Sequence, residues 1–193
     1  MSAPGARRLL VVGWSNTGGT ARLVDAAVEG AREALRALSD GDGPPASGTA
    51  SGTSCGPPGD GVDVLACRCD RVGPEALLRA DALLFATPEC LGSMAGPMKA
   101  FFDRCYYPAL DRLVGRAYAT IVCAGTDGHG AIRQVERIAT GWRLRRVAEP
   151  VLVITGAQTP EAILAPKHLR DDDLARAAAL GATLAAGTAA GIW

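Results

Sequence analysis

Lysine and histidine are scarce in this chain. Only Lys99 and Lys167 are lysine, against eighteen arginines, and only His129 and His168 are histidine. Two histidines give no basis for a His-rich metal centre. The six cysteines (Cys55, Cys67, Cys69, Cys90, Cys105 and Cys123) fall at spacings that match no zinc site. No metal is therefore expected. An excess of one charge is also lacking, because twenty basic residues balance twenty acidic ones. No global field draws the chain to nucleic acid or to an anionic membrane. No apolar run approaches the roughly 20 residues of a membrane helix, so no membrane insertion is expected. Residues 1–8 carry no apolar core behind their arginines, which predicts a cytoplasmic protein with its cysteines as thiols. Cys67-Arg68-Cys69 is a C-x-C and lacks the spacing of a redox pair.

What is present is an ordinary globular composition, 48% hydrophobic over 193 residues. That length fits one domain, residues 1–193, at roughly 100–200 residues per domain. Apolar runs read as strands at 8–14, 62–67, 82–87, 118–124 and 148–155. Helices are predicted at 18–38, 74–79, 96–113, 131–144 and 171–186. In the first, Val24, Val28, Ala31, Leu35 and Leu38 form one stripe. In the third, Met98, Phe101, Phe102 and Cys105 recur at three- and four-residue spacing, and in the fourth Ile132, Val135, Ile138, Ala139 and Trp142 face inward. Asp171, Asp172 and Asp173 open the last helix, where carboxylates suit the cap and the dipole. Residues 39–61 are rich in Gly, Pro, Ser and Thr and read as a flexible surface insertion within the domain.

Alternation of apolar strands with helices predicts a doubly wound, flavodoxin-like α/β fold. Its five parallel strands run in the order 2-1-3-4-5, with helices on both faces. Ligands of such sheets sit at the carboxyl ends of the strands, which directs attention to three loops.

The first loop, Ser15-Asn16-Thr17-Gly18-Gly19-Thr20, offers hydroxyls, glycines and a helix N-terminus but no lysine or arginine. It is neither a P-loop nor a dinucleotide fingerprint. An uncharged, hydroxyl-rich cradle suits a terminal monophosphate. With Ser15, Thr17, Gly18 and Thr20 in the pattern S-x-T-G-x-T, it resembles the FMN phosphate loop of the flavodoxin superfamily. The second loop runs from Thr87 through Pro88, Glu89, Cys90, Leu91, Gly92, Ser93 and Met94 into the next helix. It resembles the T-P-E-Y-N-G-S segment of NAD(P)H-dependent FMN reductases. It is also similar to the longer pattern of the quinone-reductase and iron–sulfur-flavoprotein branch, through Thr87, Pro88, Gly92, Ser93, Met94, Met98, Lys99, Phe102, Asp103 and Arg104. Cys90 departs from both, standing where they carry tyrosine, so an aromatic stacking partner is missing. Residues 143–166 resemble the C-terminal stretch of the same oxidoreductases.

The resemblance implies an FMN-dependent oxidoreductase with a ping-pong cycle. NAD(P)H would act as transient electron donor, and a quinone, a nitro or azo compound or free flavin as small-molecule acceptor. It implies that the first two loops hold the FMN phosphate and ring, and that a third loop, Gly125, Thr126, Asp127 and Gly128, closes over the ring. Asp127 is placed to cap the following helix, and His129 is a weak candidate for proton donation. It further implies a homodimer or homotetramer. Two alternatives stay open at this point: a flavodoxin-type one-electron carrier, which zero net charge disfavours, and a flavin-free binding module.

Overall fold

A computed structural model describes residues 6–40 and 61–193. Segment 41–60 of the expected insertion, with Cys55, lies outside the described residues. The elements in chain order are β1 (Arg7–Gly13), α1 (Gly19–Asp40), β2 (Val62–Arg68), α2 (Pro74–Arg79), β3 (Ala82–Cys90) and β4 (Ser93–Met94). These are followed by α3 (Gly96–Ala109), β5 (Ala117–Ala124), α4 (His129–Gly141), β6 (Arg145–Arg146), β7 (Val151–Ile154), α5 (Pro160–Leu164) and α6 (Asp171–Ala189).

The parallel sheet runs β2-β1-β3-β5, with β6 and β7 sharing the fifth position beside β5. This is the expected doubly wound order. The fifth strand is interrupted: one run was predicted over 148–155, whereas two short segments pair with the two ends of β5. β5 is buried along its whole length and β3 from Ala82 to Thr87, as continuous apolar runs covered on both faces should be. β2 is the exposed edge.

Strand alternation divides the core into two layers. Leu10, Val12 and Phe85 point toward α3 and α4, where Phe102 packs between Phe85 and Trp142 at ring-centroid distances of 5.0 and 5.4 Å. Leu9, Val11 and Leu84 point the other way, toward α1 and α6. α1 does not bury the predicted stripe in full. Leu38 is exposed, while Leu23, Ala27, Gly30 and Ala31 are buried against α6. A Cβ on Gly30 would lie 2.2 Å from the Ala178 carbonyl oxygen, and one on Gly181 would lie 1.8 Å from that of Ala27. The two helices therefore meet backbone to backbone, a contact only glycine permits.

The start of α6 is also built differently from the expectation. No aspartate side chain caps it. Instead Asp173 is buried at 3% exposure and accepts from Arg170 Nε and Nη2, both at 3.0 Å. These bonds hold its carboxyl below the usual carboxylate range.

Candidate functional site

The carboxyl ends of β1, β3 and β5 open into a cavity of about 540 Å³. It lies where strand order reverses between β1 and β3, the place such folds reserve for ligands.

The first loop forms one wall. Gly18 adopts a left-handed φ of +89°, and its N–H donates to Ser15 Oγ at 3.1 Å. This turn aims the chain into α1, whose intrahelical bonding begins with Arg22 N–H to the Gly18 carbonyl at 3.1 Å. The amides just before it have no helical partner and point toward the loop. Ser15, Asn16, Thr17, Gly19 and Thr20 line the cavity, while Gly18 lines a neighbouring one of about 370 Å³. A Cβ on Gly19 would come within 2.9 Å of Cys123 Sγ and 3.1 Å of Lys167 Cγ, so the absence of a side chain lets the start of α1 pack directly on both. Thr20 is 2% exposed and its Oγ1 has no partner. Three buried side-chain polar atoms are unpartnered among the described residues, those of Thr20, Thr120 and Trp142, and only Thr20 lines the cavity.

The second loop is better ordered than a simple loop. β3 continues to Cys90 and turns back through Leu91 and Gly92 into β4, with Glu89 opposite Met94 and Cys90 opposite Ser93. Leu91 and Gly92 both have positive φ, +53° and +71°, as a two-residue hairpin turn requires. Leu91 is fully exposed at the cavity mouth. The Thr87 hydroxyl closes the base, accepting from Ala95 N–H at 3.1 Å. Pro88, Glu89, Cys90, Leu91 and Gly92 line the cavity. Ser93 and Met94 do not: Ser93 Oγ accepts from Gln134 Nε2, and Met94 is buried beneath α4.

Glu89 ties the second loop to the third. Its carboxylate accepts from Gly128 N–H at 2.6 Å and Ala131 N–H at 3.2 Å, so it caps α4. This corrects the expectation for Asp127, whose exposed side chain makes no cap. The hairpin also presses on the helix, since a Cβ on Gly130 would lie 2.0 Å from the Gly92 carbonyl oxygen. Gly125 and Thr126 line the cavity; Asp127, Gly128 and His129 lie outside it. His129 is exposed as the first residue of α4.

Two features went unpredicted. The first is a polar chain at the rim. Trp14 Nε1 donates to Asn16 Oδ1 at 2.6 Å, and Asn16 Nδ2 donates to Cys90 Sγ at 3.3 Å. Arg68 covers the Trp14 ring at 4.6 Å. The second is the segment after β7, in which Ile163, Leu164 and Lys167 add to the cavity wall. Cys123 lines the floor as a thiol, pushed up to about 11 by burial. Lys99 pairs with Asp103 on the exposed face of α3, away from the cavity. No group of three His, Cys, Asp or Glu residues able to hold a metal occurs among the described residues. No described helix is long and apolar enough to cross a membrane.

The sheet order and the cleft at its switch point define a flavodoxin-like protein. The family described as NADPH-dependent FMN reductase matches residues 9–158, and the chain belongs to that family of oxidoreductases. Among solved structures it is similar to a flavodoxin from the domain Archaea, at 17% identity over 94% of this chain and 98% of that one, with a TM-score of 0.65. A WrbA-like flavodoxin from Agrobacterium tumefaciens aligns at 17% identity over 95% and 98% of the two chains, with a TM-score of 0.61. An oxidoreductase from Corynebacterium diphtheriae aligns at 22% identity over 94% and 98%, with a TM-score of 0.59. At these identities the structures speak for the fold alone. No curated protein matches the chain.

Proposed function

We propose that this chain holds FMN in the cavity at the ends of β1, β3 and β5 and works as an NAD(P)H-dependent oxidoreductase on a small acceptor. The observation that carries the reading is the unpartnered Thr20 hydroxyl, buried in a hydroxyl-rich cradle at the N-terminus of a 22-residue helix. A buried donor without a partner costs about 1–3 kcal/mol, and a phosphate oxygen is the partner that this cradle suits.

Ser15, Thr17 and Thr20 would hold the phosphate by their hydroxyls, together with the first amides of α1. Backbone from Pro88 to Gly92 and from Gly125 to Thr126 would face the ring. The bound cofactor supplies hydride chemistry between NAD(P)H and an acceptor such as a quinone, a nitro or azo compound or free flavin. Glu89 fixes the mutual position of the two ring loops by capping α4. Leu91, exposed at the mouth, would offer an apolar contact to the ring or to an incoming substrate. Asn16, held by Trp14, fixes Cys90 beside the first loop. His129 is given no role in holding the cofactor.

The test is to incubate the purified protein with FMN, desalt it and titrate it anaerobically with NADPH while following the visible spectrum. Retained yellow flavin that bleaches directly to the two-electron form supports the reading. A protein that emerges colourless overturns it and favours a flavin-free binding module.

A further inference from the structure

The phosphate cradle contains no cation in sequence, yet the fold delivers one. Lys167 is the one positively charged residue among those lining the cavity. Its stem lies on the cradle floor, with Cγ and Cβ 3.1 and 3.2 Å from where a Cβ on Gly19 would stand. Its own carbonyl accepts from Arg22 Nη1 at 3.1 Å, so its backbone is tied to the first turn of α1. The segment carrying Lys167 is therefore anchored to the same helix end that presents the cradle amides.

The Lys167 ammonium donates to the carbonyls of Ala162, Ile163 and Ala165 at 2.7, 2.7 and 2.6 Å. These acceptors are neutral and belong to an exposed turn, because α5 buries none of its residues. Water can satisfy them at little cost if the ammonium leaves. Rotation about the bonds beyond Cγ swings the ammonium without moving the stem. The unpartnered buried Thr20 hydroxyl marks independently where an anion is wanted. A phosphate monoester taken out of water needs a compensating charge. The α5 carbonyls offer dipoles only, whereas a phosphate adds the attraction of opposite net charge, so a phosphate outcompetes them for this ammonium. The other charged group on the wall, Glu89, is committed to the N-terminus of α4 and does not compete.

Resting on the FMN reading, we infer that Lys167 is the counter-ion of the cofactor phosphate, exchanging the α5 carbonyls for phosphate oxygens when the cradle fills. A positively charged group brought in from the far end of the chain thus completes an uncharged loop. The segment 160–167 acts as a tether that hands its lysine to the ligand.

The experiment is fluorescence titration of the full chain with FMN and with riboflavin, which differs only in lacking the phosphate. Wild type is compared with Lys167→Gln and Lys167→Met. Glutamine keeps amide donors for the α5 carbonyls and removes the charge, whereas methionine removes both. The expected result is that both variants lose about tenfold or more in FMN affinity with riboflavin affinity unchanged, as the loss of one charged hydrogen-bonding partner implies. A wild type that prefers FMN, with that preference intact in both variants, overturns the assignment of Lys167 alone. Weaker binding of both flavins by equal factors in the methionine variant only makes Lys167 a structural tether and also overturns it. A wild type that binds neither flavin overturns the FMN reading and this inference with it.

Discussion

At the residue scale, the informative atom is Thr20 Oγ1. A threonine within a helix usually relieves its hydroxyl on the carbonyl four residues back. Here that residue is Asn16, still in the loop, and the hydroxyl stays unpartnered. Valine has nearly the same shape and no hydroxyl. Thr20→Val should therefore raise the stability of the cofactor-free protein by about 1 kcal/mol, because it removes a buried polar group that lacks a bond. The same change should weaken FMN by about tenfold. Urea unfolding and flavin titration on one preparation check the two signs together. Loss of stability would mean that the hydroxyl is satisfied within the protein and is not reserved for a ligand. The cradle itself was legible from hydroxyls and glycines at a strand–helix turn. That Glu89 rather than Asp127 caps α4 was not, because the capping group comes from another strand. Lys167 was invisible for the same reason: only the folded sheet brings its loop against Gly19.

At the element scale, the α1–α6 contact decides how the layer on that face is built. Glycine within a helix normally costs about 1 kcal/mol against alanine. Gly181 reverses that sign, because a Cβ there would meet the Ala27 carbonyl and carbon atoms at 1.8 and 2.6 Å. The helices would have to separate along their shared face. Gly181→Ala is expected to destabilise by about 3 kcal/mol, at the upper end for overpacking. Gly141→Ala, at the end of α4 with nothing within 4 Å of its added methyl, is the control and should be neutral or slightly stabilising. Chemical denaturation midpoints of the two variants measure the difference. This contact explains why the strands were easier to read than α1. Continuous apolar runs such as ALLFAT in β3 signal burial whatever packs on them. A helix stripe shows an apolar face but not the partner. α1 meets α6 through small residues, so its packing centre shifts toward Ala27 and Gly30 and Leu38 is left outside. The hairpin at Cys90–Ser93 and the short α5 carry no periodic apolar signal, since one has a two-residue turn and the other buries nothing.

At the scale of the whole molecule, the charges balance near pH 7, and acid leaves the twenty basic residues uncompensated. On top of that general repulsion, particular carboxylates carry pH-dependent stability of their own. Most aspartates and glutamates with ion-pair partners are exposed, and such pairs contribute little. Asp173 differs: its side chain is nearly buried, Arg170 grips both carboxylate oxygens, and Arg176 lies 3.6 Å away. Hydrogen bonding and charge from Arg170 lower its folded-state pKa, with Arg176 helping, while burial opposes them. A lowered folded-state value means that the unfolded chain takes up the proton first. The resulting stabilisation is fully present above the unfolded aspartate value of about 3.9 and is lost as pH falls through the lower folded value. Asp173→Asn removes the titrating group and keeps the shape. The variant should be less stable than wild type at pH 7 by about 1–2 kcal/mol, the scale of hydrogen bonds to a charged group. The gap should close as pH falls below about 4. Denaturation midpoints of both proteins, followed from pH 7 down to pH 3, check this. A gap that stays constant over the range would mean that Asp173 contributes through shape alone. A gap that closes ties the start of α6, and through it the face packed on α1, to a single proton.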